Sequence, residues 1–374
     1  MIKDPGKNNN AFDNAELIMN LLPGSRLIGG CVRDYLLKRK FTDIDIATTY
    51  IPDQVIKILT ANHIKTIPTG IKFGTITALS KGEHIEITTL RQDVINNGRH
   101  PVVTYTDNFE VDAARRDFTI NALSMDLNGV IYDYFDGLKD LDSQTVRFIG
   151  EASCRINEDY LRILRFFRFT ASYAKKIDIE GLEASYKLQD KLNLLSSERI
   201  HDEFIKLLNV ADPSYVLEIL AKYQFLELLG LSNDLTKFNQ LMNLDKIINP
   251  APLLRLATLL NKTPPKWCLA KLERKYLQDL LLENKYDNIS QLCYNEKNAK
   301  DIFIINNLNA NSDKIKDGIV FIENYIKPNF PVKASDLYGV DGVEIGLMLK
   351  KIKHHWEINN YCLSKEELLK LVSL

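Results

Sequence analysis

The chain has 374 residues, enough for two or three domains, and its 45% apolar and 26% charged residues are typical of a soluble globular protein. Its 48 basic and 49 acidic side chains give a net charge of −1, so bulk charge does not explain binding to nucleic acid. Any attraction to phosphate must be local, and residues 146–176 carry seven basic but only three acidic side chains. The five cysteines are scattered without a CxxC pair, which argues against a disulfide framework or a zinc site.

The chain shows no signal for export or for a lipid bilayer. Its first ten residues, MIKDPGKNNN, lack an apolar signal core, and no segment approaches the ~18 to 20 apolar residues of a membrane helix. We therefore expect a cytoplasmic protein that makes no contact with a membrane. The sequence leaves open whether the protein is a monomer or a homodimer.

The first third of the chain alternates between helical and strand patterns. An amphipathic helix is predicted over Ala11–Leu22, where Pro23 and Gly24 end it. The other predicted elements are, in order, a strand at Arg26–Ile28, a turn at Gly29–Gly30, a helix at Cys31–Leu37, a strand at Asp43–Ala47, a helix from Pro52, and a hairpin of Ile71–Leu79 with His84–Leu90.

From about Asn157 to the end, apolar residues recur at helical spacing, and prolines divide the pattern into helices of ordinary length. The fold class is therefore predicted to be α+β, with an N-terminal α/β head followed by an all-helical remainder. The junction between the two parts is predicted between Asp136 and Asn157.

Two carboxylates at 43 and 45 form the first candidate site. Alternate residues of a strand point to the same face, so Asp43 and Asp45 stand side by side while Ile44 and Ile46 pack on the other face. Adjacent carboxylates repel unless a cation lies between them, and Mg²⁺ prefers such oxygen ligands. Two magnesium ions can activate an attacking hydroxyl and stabilise a leaving pyrophosphate. The alternative is a solvated acidic strand edge.

The context upstream favours a phosphate site. Gly29 and Gly30 lie at a strand-to-helix turn, where backbone N–H groups can approach an anion closely. Arg33 lies in the first turn of the following helix and can reach the same anion. The alternative for Arg33 is an ion pair with Asp34 or another neighbour.

A basic stripe on a predicted helix over residues 157–171 forms the second candidate site. Asp159, Arg162, Arg165 and Arg168 are spaced three apart and share one face of this helix. Cytosine and adenine both present an amine donor beside a ring-nitrogen acceptor, which a carboxylate beside a guanidinium would match. Uracil and guanine would leave such groups unpaired, so Asp159 with Arg162 could select the base. The alternative is a solvated face with Asp–Arg pairs.

The segment GGCVRDYLLKRKFTDIDIA resembles the signature of polymerase-beta-like nucleotidyltransferases, in the branch that holds tRNA nucleotidyltransferases and bacterial poly(A) polymerases. The resemblance implies that Asp43 and Asp45 are catalytic and bind Mg²⁺. It also implies that Gly30 and Arg33 contact the triphosphate. A third carboxylate assists in the wider superfamily, and Glu86 is the candidate, with an exposed strand residue as the alternative.

Three further segments carry the same resemblance. EDxxRxxR resembles the nucleotide-recognition motif of class II tRNA nucleotidyltransferases, which assigns base reading to Asp159 and Arg162 and supporting roles to Arg165 and Arg168. The residue after ED is tyrosine here, where the family has proline. RRD assigns nucleotide binding to Arg116. SERIHDE resembles the neck motif that steadies the base-reading helix, and the polar stretch from 89 to 115 resembles the family's flexible loop.

The resemblance implies stepwise addition of C, C and A to the tRNA 3′ end from CTP and ATP, with release of pyrophosphate. It also implies a catalytic head at 1–140, a helical neck at 141–210, and a helical body and tail at 211–374 that grip the tRNA. Three alternatives remain open at this point. They are a bacterial poly(A) polymerase, a tRNA nucleotidyltransferase that adds only A, and a non-catalytic RNA-binding protein on the same fold.

Overall fold

A computed structural model describes residues 9–41, 43–80, 82–95, 102–261, 265, 267, 270–281, 286, 288–337 and 342–371. The chain forms two compact units, which we call unit 1 (residues 1–228) and unit 2 (residues 229–374). None of the helices in the described part of the chain is long and apolar enough to cross a membrane.

Unit 1 contains a seven-stranded mixed sheet and a separate two-stranded sheet. The strands are β1 (Arg26–Ile28), β2 (Ile44–Thr48), β3 (Lys65–Gly70), β4 (Thr75–Ser80), β5 (Glu83–Thr89), β6 (Arg91–Ile95), β7 (Val102–Tyr105), β8 (Ser124–Met125) and β9 (Ile131–Tyr132). The large sheet has the order β3-β4-β5-β2-β1-β8-β9, and β6 pairs with β7 in the small one.

Strand β2 lies inside the large sheet, with a strand paired to each of its edges and its apolar residues buried. It runs parallel to β5 and antiparallel to β1. Ile44 and Ile46 are buried, whereas Asp45 lies on the opposite face, next to Glu86 of β5. Asp43 lies just before β2 and is exposed. The alternation predicted for this strand is therefore present, although the strand begins one residue later than expected.

Eleven helices complete the described part of unit 1. They are α1 (Asn9–Leu21), α2 (Gly30–Leu36), α3 (Pro52–Ala61), α4 (Phe109–Ala114), α5 (Gly137–Asp142), α6 (Ala152–Glu158), α7 (Arg162–Tyr173), α8 (Ile179–Lys187), α9 (Ser197–Leu208), α10 (Ser214–Lys222) and α11 (Phe225–Leu228). Helices α1, α2 and α3 pack against the sheet, while α7 packs against α9 and α10.

Unit 2 contains only helices among its described elements. They are α12 (Thr236–Asn243), α13 (Asp245–Ile248), α14 (Pro252–Thr258), α15 (Lys271–Leu280), α16 (Ile289–Asn295), α17 (Ala299–Asn306), α18 (Ser312–Glu323), α19 (Gly342–Ile358) and α20 (Lys365–Lys370). Part of its core is aromatic: Trp356 is buried, and the Tyr294 ring stacks on that of Tyr361 with centroids 4.3 Å apart.

The predicted α/β head followed by helices is confirmed, but three local predictions are wrong. Residues 71–73 form a 3-10 turn, and the strand begins only at Thr75, because Gly74 adopts a left-handed conformation. The polar stretch after residue 89 is not simply a loop, since it forms β6, β7 and α4. The helix predicted over 157–171 is interrupted, because Asp159 is extended (φ −156°, ψ 108°) between α6 and α7.

Candidate active site

A cavity of about 430 Å³ in unit 1 collects most of the candidate residues. We call it the nucleotide cavity. Its walls come from the β1–α2 turn, strand β2, the segment after α4, the start of α7, and α9. Its lining residues are Gly29, Gly30, Asp45, Arg115, Arg116, Asp117, Asn121, Asp159, Leu161, Arg162, Arg165, Phe169 and Arg199. Of the predicted nucleotide-binding residues, Arg33 and Arg168 are outside this lining.

The β1–α2 turn brings backbone close to an arginine, and this close approach requires glycine. Gly29 has φ +72°, and a Cβ atom there would lie only 2.8 Å from Nη1 of Arg116. The Arg116 guanidinium donates to the Asn121 carbonyl at 3.3 Å and lies 3.5 Å from Asp112. It also interacts electrostatically with Asp45. The turn therefore places a guanidinium, backbone N–H groups and a carboxylate around one opening.

Asp45 lies in a strongly acidic environment. Burial, the neighbouring Glu86 and Asp43 raise its pKa to about 6, although Arg116 acts in the opposite direction. A cation bound there would relieve this repulsion, and the oxygen donors suit a hard divalent ion. The site therefore fits a divalent metal held by Asp43 and Asp45. No group of three or more carboxylate, imidazole or thiol ligands is preassembled among the residues that the structure describes, so a third ligand role for Glu86 stays a prediction.

Arg33 is buried beside the site and does not line the cavity. Its guanidinium forms a 2.8 Å ion pair with Asp34, donates to Asn121 and lies 4.1 Å from the centre of the Tyr173 ring. The Asp34 partner agrees with the alternative noted from the sequence. A contact between Arg33 and the triphosphate stays a prediction, because Arg33 would have to exchange these partners to make it.

Asp159 and Arg162 line the same cavity wall, but each is held by other partners. Asp159 accepts a hydrogen bond from the backbone N–H of Leu161 at 3.1 Å and forms a 2.7 Å ion pair with Arg199. Arg162 forms a 2.6 Å ion pair with Glu158 and also donates to backbone carbonyls. The prediction that Asp159 shares one helix with the arginines is therefore wrong, because its side chain accepts a backbone hydrogen bond in the turn before α7.

The other two arginines of α7 are fixed by buried carboxylates. Arg165 forms a 2.6 Å ion pair with Asp117. Burial alone would raise the pKa of Asp117, but Arg165 and the Asn121 amide outweigh this effect and hold the pKa below its usual value. Arg168 pairs with the buried Glu203 of α9. Arg165 thus reaches the nucleotide cavity already charged and oriented, whereas Arg168 faces a different cavity.

Several lining residues were not singled out from the sequence. Arg199 lies within SERIHDE, which was interpreted only as a support for the helix. Asn121 follows RRD by four residues and donates to Asp117 at 3.0 Å. Each stands within or next to a segment already noted, but spacing alone does not show which side chain turns toward the cavity.

The chain is similar to known proteins over most of its length. One family model, described as the poly A polymerase head domain, matches residues 25–147. A second, described as a probable RNA and SrmB-binding site of polymerase A, matches residues 176–231. The crystal structure of the Bacillus stearothermophilus CCA-adding enzyme in complex with CTP superposes with a TM-score of 0.70 at 25% identity, covering 94% of this chain and 93% of that one.

Similar curated proteins indicate the family of the chain. The CCA-adding enzyme of Lactobacillus johnsonii is 44% identical over 182 residues, which is 48% of this chain and 45% of the relative. The mitochondrial CCA tRNA nucleotidyltransferase 1 of Danio rerio is 34% identical over 378 residues, which is 93% of this chain and 86% of the relative. The chain therefore belongs to the family of tRNA nucleotidyltransferases, which shares its head domain with the poly(A) polymerases.

Proposed function

We propose that the protein adds C, C and A in turn to the 3′ end of tRNA from CTP and ATP, without a nucleic-acid template. The observation that carries the proposal is the shared cavity. Asp159 and Arg162, whose chemistry matches C and A, line the same space as Gly30, Asp45 and Arg116. A non-catalytic RNA-binding protein would have no use for a partly buried carboxylate held among like charges.

In each addition, the terminal 3′-hydroxyl of the RNA forms a bond to the α-phosphorus of the nucleotide, and the bond to the leaving pyrophosphate breaks. Asp43 and Asp45 would hold Mg²⁺, which supplies charge neutralisation for the phosphates, with Glu86 as a third ligand. Arg116, which lines the same cavity, offsets phosphate charge. Gly30 lets the backbone approach the triphosphate, and Arg33 reaches it after leaving Asp34. Positioning and charge neutralisation supply most of the acceleration in such transfers.

Base selection follows from the pairing edges of cytosine and adenine. The Asp159 carboxylate accepts from the exocyclic amine, and the Arg162 guanidinium donates to the ring nitrogen. A carboxylate oxygen has more than one lone pair, so Asp159 can keep Arg199 while it accepts from the base. Arg162 must share or release Glu158. Arg165 and Arg168 support this pair, because Asp117 and Glu203 fix their positions.

The rest of the proposed organisation follows from the same family. Residues 1–140 act as the catalytic head, 141–210 as the neck, and 211–374 as the body and tail that grip the tRNA. The protein acts as a monomer or homodimer in the cytoplasm, although the relative from Danio rerio is named as mitochondrial. Microscopy of the tagged protein in its own cells tests the location.

The product is tested by incubating the protein and Mg²⁺ with a tRNA that lacks its 3′ CCA. CTP alone should give two additions, CTP with ATP should give three, and synthesis should then stop. UTP and GTP should not be incorporated, because they would leave Asp159 and Arg162 unpaired. The lengths of the products on a sequencing gel give the answer directly.

Two outcomes would reject the proposal while keeping the family. A long A tail would identify a poly(A) polymerase, and A added only to a tRNA ending in CC would identify an A-adding enzyme. Absence of any transfer, with RNA binding retained, would identify a binding protein on this fold. An Asp43→Asn, Asp45→Asn double variant serves as the inactive control.

A further inference from the structure

A second cavity of unit 1, of about 790 Å³, lies along α7 beyond the nucleotide cavity. We call it the basic cavity. Its walls come from the C-terminal half of α7, the segment between α2 and β2, and the end of α9. The proposed function uses only Arg168 among its lining residues.

The charge of this cavity is positive. Arg39, Lys40, Arg168 and Lys206 line it, against Asp34 and Asp212. Arg168 is offset by Glu203, and Asp34 is offset by Arg33. Three cations therefore face a single carboxylate, that of Asp212, which also accepts a backbone hydrogen bond from Ser214 at 3.0 Å.

The three cations differ in how firmly they are held. Arg39 donates from Nη1 to the Ser172 carbonyl at 2.9 Å, and its guanidinium lies 4.7 Å from the centre of the Tyr173 ring. Lys40 and Lys206 are exposed, and neither takes part in an ion pair within the described part of the chain. One cation is thus preorganised, and two flexible ones are available to a partner.

The position of the cavity indicates what the partner is. Phe169 of α7 lines the nucleotide cavity, and Arg168, the residue before it, lines the basic cavity, so the two cavities adjoin along this helix. An extended polyanion that ends in the nucleotide cavity could therefore also reach these cations.

We propose that the basic cavity binds backbone phosphates of the RNA strand next to its growing 3′ end. This inference rests on the proposed function, because it takes the extended RNA as the occupant. Arg39 fixes the register of the strand through its anchored guanidinium, while Lys40 and Lys206 neutralise neighbouring phosphates. Such contacts are independent of base identity, so they remain useful as the end grows.

The test compares two double variants of the full chain. Lys40→Ala with Lys206→Ala removes the two flexible cations of the cavity. Lys57→Ala with Lys187→Ala removes two exposed lysines of the same unit that line neither cavity. For each variant, tRNA affinity is measured as a function of salt, and KM is measured separately for tRNA and for CTP. Thermal unfolding confirms that both variants are folded.

We expect the cavity variant to bind tRNA about tenfold more weakly. The slope of log K against log salt should fall by roughly 0.7–0.9 for each phosphate that the variant no longer neutralises. Its KM for CTP should match that of the control. Equal tRNA affinity and salt slope in both variants would overturn the inference. A raised KM for CTP with unchanged tRNA binding would also overturn it and assign the cavity to the free nucleotide.

Failure of the proposed function gives a different pattern. A wild-type protein that transfers no C or A to tRNA would reject the function, whatever the lysine variants do. Loss of tRNA affinity in the cavity variant alone would still support the RNA contact in that case. The two ideas are therefore separated by one transfer assay and one binding assay.

Discussion

Burial and two neighbouring carboxylates oppose ionisation of Asp45, and Arg116 only partly offsets them. The raised pKa means that the folded protein binds a proton at Asp45 more tightly than the unfolded chain does. Folding stability attributable to this group is therefore greatest below the ordinary carboxyl pKa and falls as the pH rises toward about 6. Above that pH, Asp45 is ionised in the folded protein, and the full free-energy cost of that ionisation is present unless a cation binds.

Replacing Asp45 with asparagine should therefore stabilise the metal-free protein while it abolishes transfer. Each pKa unit corresponds to about 1.4 kcal/mol, and solvent screening at this partly exposed side chain reduces the gain to on the order of 1 kcal/mol. Thermal unfolding with a chelator should show a midpoint a few degrees higher at pH 8 and no difference near pH 4. A lower midpoint at pH 8 would contradict the like-charge environment of Asp45.

The position of Asp45 on the face opposite Ile44 and Ile46 could be inferred from sequence, because strand alternation fixes the face on which a side chain lies. For Arg33 the sequence offered both a triphosphate contact and an ion pair with Asp34, and it could not decide between them. The direction of Arg33 depends on Asn121 and Tyr173, which lie 88 and 140 residues later in the chain. Spacing predicts which residue types come near a site, but packing of distant segments decides which side chain enters it.

At the scale of elements, α9 acts as a brace for the segment around the start of α7. Arg199 and Glu203 are one helical turn apart and contact Asp159 and Arg168, on either side of the start of α7. The sequence predicted helices in both places, because the apolar period is clear. It did not predict the break at Asp159. A hydrogen bond from the backbone N–H of Leu161 to Asp159 stabilises the turn there, and the spacing of the apolar residues does not change across it.

The brace can be tested on two adjacent acids of α9. Glu203 is buried against Arg168, so Glu203→Ala should destabilise the protein by about 2 kcal/mol, since a partly buried guanidinium loses its partner. Asp202 is 70% exposed, so Asp202→Ala should change stability by no more than about 0.5 kcal/mol. Denaturant unfolding of both variants measures the contrast, and equal effects would show that α9 does not brace α7 through this pair.

At the scale of the whole molecule, the packing of the chain divides it at residue 228, while the sequence suggested a boundary at 210. Helical periodicity is found on both sides of each position, so it does not show which helices share a core. The side chains of α10 and α11 show that these two helices belong to the core of unit 1. Leu217, Leu220 and Phe225 are fully buried, and the Phe225 ring lies 4.9 Å from that of Phe167 in an edge-to-face contact.

Two truncations distinguish the boundaries. A chain of residues 1–228 should fold cooperatively and bind CTP, because it keeps α10 and α11 on the core of unit 1. A chain of residues 1–210 should fail to fold, because it loses three fully buried side chains. Replacing any one of these side chains with alanine would lower the free energy of unfolding by about 2–5 kcal/mol, and the sum over the three approaches the whole stability of a typical domain. Circular dichroism melts and CTP titration compare the two chains, and cooperative folding of both would place the true boundary before α10.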